Sequence, residues 1–295
     1  MIYGLIAVAH ESDKNVYRPH LLTPTMPKSP RKLAFIMAAT DHGALIVNRL
    51  DQHMVESTKG YGVGFQLLNT ASYDASEVDL VLKLLDLRRQ HYGDGAVAVD
   101  CGANIGVHTI EWAKHMTGWG AVLAIEAQER IYYALAGNIA INNCFNARAI
   151  HAAVTSQPGT MKMPKPNYLA PASFGSLELR KRMNTEFIGQ AIDYSDSKMV
   201  DVQAVTLDSF NLPRLDFVKM DVEGMEIDAL AGSVKCIDKH HPILLVEMVK
   251  VDKNELRACL ESFDYSVFEA GLNFLALHKT DKCLAQVEIK TLAKP

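Results

Sequence analysis

The sequence predicts an α/β fold: a mostly parallel sheet with helices on both faces, closed by an antiparallel strand. Two observations predict it. From residue 76 onward, short continuous apolar runs alternate with segments of helical spacing, and strands that are apolar on both faces belong to parallel sheets buried between helices. The alternation then ends in two strand-like runs joined at Ala270-Gly271, a hairpin that adds one reversed strand to the sheet.

Composition narrows the class. The chain has 295 residues, 48% apolar and 22% charged, with a net charge of −4. Collagen-like, coiled-coil and wholly disordered chains are excluded, and one large or two small domains are expected. With no basic excess, neither a nucleic-acid nor a membrane partner is expected. Five cysteines, Cys101, Cys144, Cys236, Cys259 and Cys283, are odd in number and widely spaced. They read as reduced thiols in a cytoplasmic compartment. The apolar start, Met1–Val8, lacks a basic leader and reads as a strand rather than a signal peptide. No apolar run reaches the ~20 residues that span a bilayer.

Residues 1–60 read as an N-terminal cap and residues 61–295 as the main domain. Pro19, Pro24, Pro27 and Pro30 make residues 11–31 irregular. Two apolar runs, 32–40 and 44–48, are joined by Asp41-His42-Gly43 as a hairpin. Gly60, Gly62 and Gly64 lack the Lys and Ser/Thr of a phosphate loop and read as a turn. Val78, Val81, Leu82 and Leu85 give residues 76–89 a helical period, with Ser76 as its cap. Strands follow at 96–99, 121–125 and 147–154, with helices at 107–116 and 130–142. Residues 156–200, with Pro158, Pro164, Pro166 and Pro171, read as an inserted loop. It holds one helical piece, 176–183, whose Arg180-Lys181-Arg182 triplet forms a solvated face. Ser173–Ser176 is a candidate lid. A strand at 217–220, a helix at 225–231, a strand at 243–248, a helix at 254–262 and strands at 265–269 and 272–278 complete the pattern.

The most informative stretch is Val97-Ala98-Val99-Asp100-Cys101-Gly102-Ala103-Asn104-Ile105-Gly106. A strand ends in an acid, two glycines four apart follow, and a helix starts. Glycine lets backbone approach a ligand closely, the helix start offers unpaired N–H groups, and ligands of open α/β sheets bind beyond the carboxyl ends of the strands. A dinucleotide needs GxGxxG, but Asn104 and Val107 stand where its second and third glycines belong. Asp100 would repel a pyrophosphate. It suits the ammonium and sulfonium of S-adenosyl-L-methionine (AdoMet), an attraction worth about 1–4 kcal/mol near a protein surface. The next strand ends in Ile125-Glu126-Ala127, and a carboxylate there can accept both hydroxyls of a ribose.

Val99–Thr109, with its V-D-C-G-A-N-I-G core, and Phe217–Glu226, with K-M-D-V-E-G-M-E, together resemble the FkbM family of class I AdoMet-dependent methyltransferases. The resemblance runs from about Ser76 to His278. It implies a Rossmann-like, seven-stranded, mostly parallel sheet with an antiparallel C-terminal hairpin strand, and methyl transfer to a hydroxyl on a sugar or natural-product small molecule. Carried over by residue, Asp100, Gly102, Ala103, Asn104 and Gly106 line the methionine part, Glu126 with Ala127 the ribose, and Asp221 completes the cofactor set. The third strand ends without the acid that many class I enzymes turn toward adenine, which leaves Ala152 or backbone for that contact.

Methyl transfer needs alignment and a base for the neutral alcohol, worth ~10²–10⁴-fold. Asp221, at the end of a strand beside the glycine loop, is the candidate base. Glu223 is placed to orient the acceptor or share that role, and Lys219, if it reaches Asp221, keeps that acid ionised. No third oxygen ligand stands nearby in sequence, so no metal is expected. His108 reads as a satisfied, partly buried histidine, and Glu247 as either functional or a structural hydrogen-bond acceptor. The competing readings are an NAD-dependent oxidoreductase and a non-catalytic methyltransferase-like binding module.

Overall fold

The computed structural model of the chain describes residues 31–57 and 59–287. The strand expected at residues 1–8 and the irregular stretch over 11–30 lie outside the described residues.

In chain order, β1 (Phe35–Thr40) and β2 (Gly43–Asn48) form the expected hairpin, with Thr40 opposite Gly43. Two short strands follow, β3 (His53–Met54) and β4 (Gly60–Tyr61), then helices α1 (Val63–Thr70) and α2 (Ala75–Tyr92). The alternation proper comprises β5 (Ala96–Cys101), α3 (Val107–His115), β6 (Gly120–Glu126), α4 (Glu129–Ile141) and β7 (Ala147–His151). A side branch holds β8 (Ala153–Val154), β9 (Gly159–Pro164) and β10 (Met199–Val205). The chain returns through β11 (Phe217–Met220), α5 (Glu226–Ala231), α6 (Val234–His240), β12 (Ile243–Glu247), α7 (Lys253–Ser262), β13 (Tyr265–Ala270) and β14 (Asn273–His278).

The central sheet has seven strands in the order β13-β14-β12-β11-β5-β6-β7. β14 is antiparallel to both neighbours, and all other pairs are parallel. Strand alternation sends successive side chains to opposite faces. Ala96, Ala98 and Phe217 join one buried cluster with Trp112 and Leu245, while Val99, Cys101, Val218 and Met220 join the other with Leu256 and Tyr265. Asp100 stands opposite Lys219, and Lys219 opposite Leu245, so these side chains share a face at the carboxyl end of the sheet.

Four expectations need correction. Ser76 is not a cap: Asp74 precedes α2, and Ser76 lies in its first turn. The strand expected over 147–154 breaks at Ala152, where the chain leaves the central sheet and Ala153-Val154 pairs with β10 instead. The insert is not one loop, because β9 pairs antiparallel with β10 as an edge strand whose last residue is proline, a position that tolerates it. Residues 176–183 are not helical. Leu177, Glu178 and Leu179 are all buried in chain that is neither helix nor strand, and the one turn of helix there is Phe174–Ser176. Helices α1 and α6 were not foreseen. Among the described residues no helix is long and apolar enough to cross a membrane.

Candidate active site

A cavity of about 500 Å³ opens where β5, β6, β11 and β12 end, within the ~300–1,000 Å³ range of small-molecule sites. Every residue assigned from sequence lines it: Asp100, Gly102, Ala103, Asn104, Gly106, Glu126, Ala127, Asp221 and Glu223.

The glycine loop is built for contact with backbone. Gly102 has φ 80°, and a Cβ there would overlap the Asp221 carbonyl oxygen. Its N–H and that of Ala103 both donate to the Ile125 carbonyl, at 2.9 and 3.0 Å. Asn104, at φ 51°, donates its N–H to Glu126 Oε2 at 2.9 Å, and the Gln128 N–H donates to Glu126 Oε1 at 2.7 Å. A carboxylate has about four acceptor positions, so each oxygen keeps capacity for another donor. Burial pushes the Glu126 carboxyl up to about 7, against these N–H groups. Asp100 is 1% exposed. Its Oδ2 accepts from Thr109 Oγ1 at 2.6 Å, and its Oδ1 has no partner among the described residues. Burial raises its carboxyl too, with the Lys219 charge opposing. Ala152, Ala153 and Val154 also line the cavity, and no acid stands among them.

Lys219 is the cation at the centre of these acids. Its Nζ lies 2.8 Å from Asp221 Oδ2. Burial works against its charge, but Asp221, Asp100 and Glu77 outweigh burial and hold the ammonium above its usual range. Asp221 N–H donates to the Cys101 carbonyl at 3.0 Å, which fixes β11 against the glycine loop. Glu223, at φ 57°, is held by Lys250. The carboxylate of Glu247 completes a group with Asp221 and Glu223 in which one oxygen of each lies within 4.8 Å of the others. The third oxygen donor that the local sequence lacks is thus brought in by β12. Glu247 Oε2 is buried without a partner among the described residues, so the structural hydrogen bond allowed for it is absent at that atom.

Other lining residues were not foreseen. Phe65, Gln66 and Asn69 come from α1, and Tyr73, Asp74 and Glu77 from the start of α2. Glu77 accepts from Asn273 Nδ2 at 2.7 Å. His108 is buried, with Nε2 3.3 Å from Glu77 Oε1, and its Nδ1 lacks a partner among the described residues; it is not the satisfied histidine expected. Burial, then the charge of Lys219, holds its imidazole neutral.

The segment 173–186 is tied over this cavity. Asp51 accepts from the Phe174 N–H at 2.9 Å and the Gly64 N–H at 3.1 Å, joining the turn to the start of α1. Burial pushes the Asp51 carboxyl up to about 6. Lys250 donates to the Ser176 carbonyl at 2.8 Å and pairs with Glu186 at 3.0 Å. Arg182 donates to Glu178 at 2.8 Å and to the Lys250 carbonyl, and its guanidinium lies where a Cβ on Gly224 would be. Arg180 pairs with Asp228. The basic triplet is thus not a solvated helix face: two of its three members clamp the insert.

Comparison with known proteins gives the following. Methyltransferase sdnD of Sordaria araneosa is 26% identical over 164 residues, 48% of this chain and 61% of that protein. The chain therefore spans less than two thirds of that relative. The crystal structure of methyltransferase FkbM from Methylobacillus flagellatus KT aligns with a TM-score of 0.46 at 17% identity, covering 63% of this chain and 44% of that one. Magnesium protoporphyrin IX methyltransferase from Synechocystis PCC 6803, crystallised with bound SAM, gives 0.39 at 11% identity, covering 69% and 79%. The seven-stranded sheet with one reversed strand is the Rossmann-like class I methyltransferase arrangement. The family model for the methyltransferase FkbM domain matches residues 100–267, more than half of the chain. The chain belongs to the FkbM methyltransferase family.

Proposed function

We propose that the protein transfers a methyl group from AdoMet to a hydroxyl oxygen of a small-molecule or saccharide acceptor. The observation that carries this is the pair of buried carboxylates on adjacent strand ends, Asp100 and Glu126. Asp100 keeps one oxygen without a partner and would receive the cofactor's ammonium; Glu126 keeps acceptor capacity for the ribose hydroxyls. Asp100 would repel a pyrophosphate, which weighs against NAD. When bound, AdoMet supplies the methyl group and a neutral thioether leaving group.

This chain's residues would then bind, orient and exclude water. Gly102, with no side chain, lets the cofactor loop lie directly against the Asp221 carbonyl at the end of β11. Asp221, positioned by Lys219, accepts the hydrogen bond of the acceptor hydroxyl, and Glu223, fixed by Lys250, orients the rest of the acceptor. We assign residues 1–60 as a cap, 61–295 as the catalytic domain and the turn at 173–176 as a lid; Gly175 packs close to Asn104 of the glycine loop. All five cysteines are free of disulfides, in keeping with a cytoplasmic setting.

Thermal-shift measurements with AdoMet, S-adenosylhomocysteine and NAD test the reading. Saturating AdoMet should add a few kcal/mol of apparent stability, and Asp100→Ala should remove that gain. Stabilisation by NAD alone would overturn the assignment.

A further inference from the structure

We propose that Glu247 is a further catalytic residue of this site: its carboxylate receives the proton of the acceptor hydroxyl while Asp221, held by Lys219, orients that hydroxyl. The inference rests on the methyl-transfer reading and deepens it.

The argument begins with register. Met220 pairs with Val246 at the end of the parallel β11–β12 ladder. The next residue along each chain is an acid: Asp221 just past β11, and Glu247 as the last residue of β12. Their oxygens, with one of Glu223, lie within 4.8 Å of one another. Two ammonium groups serve these three acids. Lys219 binds Asp221 and Lys250 binds Glu223. Glu247 pairs with neither, and its Oε2 is buried without a donor among the described residues.

A buried carboxylate oxygen without a donor, beside two carboxylates that are each held by an ammonium, is the one of the group placed to take up a proton. Burial, then the charges of Asp221 and Glu226, pushes the Glu247 carboxyl up to about 8, against Lys219 and Lys250. Burial, then the charge of Asp221, raises Glu223 as well, against Lys250, but Glu223 is tied to Lys250 directly, whereas Glu247 Oε2 is left for the acceptor's proton.

A base works best when its proton affinity lies near the working pH. Asp221 Oδ2 is already taken by the Lys219 ammonium at 2.8 Å, whereas Glu247 Oε2 has no donor among the described residues. The step balances without another reactant. The hydroxyl O–H bond breaks and its proton passes to Glu247. The oxygen's electron pair makes the bond to the methyl carbon, and the carbon–sulfur bond breaks with its pair going to sulfur. One positive charge on sulfur and one negative charge on Glu247 disappear together.

Glu247→Gln keeps the side chain's shape and tests the assignment by two readouts. The first needs neither cofactor nor acceptor. Infrared titration of the free protein should show a protonated-carboxyl band that disappears around pH 8 and is missing from Glu247→Gln. The second uses methyl-labelled AdoMet with the small-molecule fraction of a cell extract. Glu247→Gln should keep its AdoMet thermal shift, lose ~10²-fold or more of transfer, and lose the rise in rate with pH that the unaltered protein shows; Glu247→Asp should recover part of both. An unchanged band in Glu247→Gln, a band lost in Asp221→Asn instead, or transfer that depends on added Mg²⁺ and stops with EDTA would each overturn the proposal. Failure of AdoMet to stabilise even the unaltered protein would sink the methyl-transfer reading instead, and the infrared result would still report where the proton sits.

Discussion

Lys219 Nζ lies 2.8 Å from Asp221 Oδ2, two residues farther along the same strand end. Lys219 is 5% exposed and faces Asp100 and Glu77 as well. Removing one partner of a buried ion pair leaves the other charge uncompensated, at about 3–5 kcal/mol. Lys219→Met should therefore cost several kcal/mol in urea denaturation. The loss should be larger at pH 8 than at pH 5, because the orphaned acids can take up protons at the lower pH.

Gly102→Ala should be far more damaging than Gly118→Ala. Both glycines have positive φ, 80° and 84°, and share a strain of roughly 1–2 kcal/mol for a side chain in that region. Only at Gly102 would the new Cβ overlap a carbonyl oxygen, that of Asp221; at Gly118 nothing lies within 4 Å. Denaturation midpoints and AdoMet thermal shifts of the two variants should separate, with ligand stabilisation lost only at 102.

AdoMet should bind more tightly at pH 8 than at pH 6. Glu126 titrates at about 7 in the ligand-free protein, and an ionised carboxylate accepts hydroxyl hydrogen bonds more strongly than a protonated one. Calorimetry should find about a tenfold gain across that interval, absent in Glu126→Gln. Stability of the ligand-free protein moves the other way. The folded state holds this proton up to about pH 7 and the unfolded chain releases it near 4.5, so this group lowers stability by roughly 3 kcal/mol as pH rises between those values.

Arg182→Ala should loosen the 173–186 segment without unfolding the sheet. The guanidinium bonds Glu178 and the Lys250 carbonyl and lies over Gly224, so its loss frees the insert from the β11–α5 turn. Hydrogen exchange should quicken at Phe174, Glu186 and their neighbours, while amides of β5 and β11 keep their protection.

The central sheet was legible because its strands are continuous apolar runs; Phe217–Met220 falls on the residues expected. The lining of the candidate site was legible wherever a strand end and a glycine stood together in the chain, as at Asp100-Cys101-Gly102. What escaped was of two kinds. Local signals misled at α1, where Gly62 and Gly64 look like a turn but press against Asp51, and at 176–183, where Leu177 and Leu179 suit extended chain as well as helix. The second kind is long-range. Lys250 meets Glu223 and Asp51 meets Phe174 only after the sheet has formed, and Glu247 joins Asp221 through the register of two parallel strands, which spacing within the chain does not encode.

Asn138, fully buried on α4, stitches the β1–β2 hairpin to the glycine loop: it takes the Ile46 N–H at 2.6 Å and gives its amide protons to the carbonyls of Ile46 and Ile105. His42, at the hairpin's tip, accepts from the Tyr73 N–H and meets Glu111. A shortened version of the protein beginning at residue 61 would strip these partners away, leaving an amide and a backbone N–H unmet in the interior at about 1–3 kcal/mol for each group. The hairpin is therefore part of what keeps the glycine loop in shape.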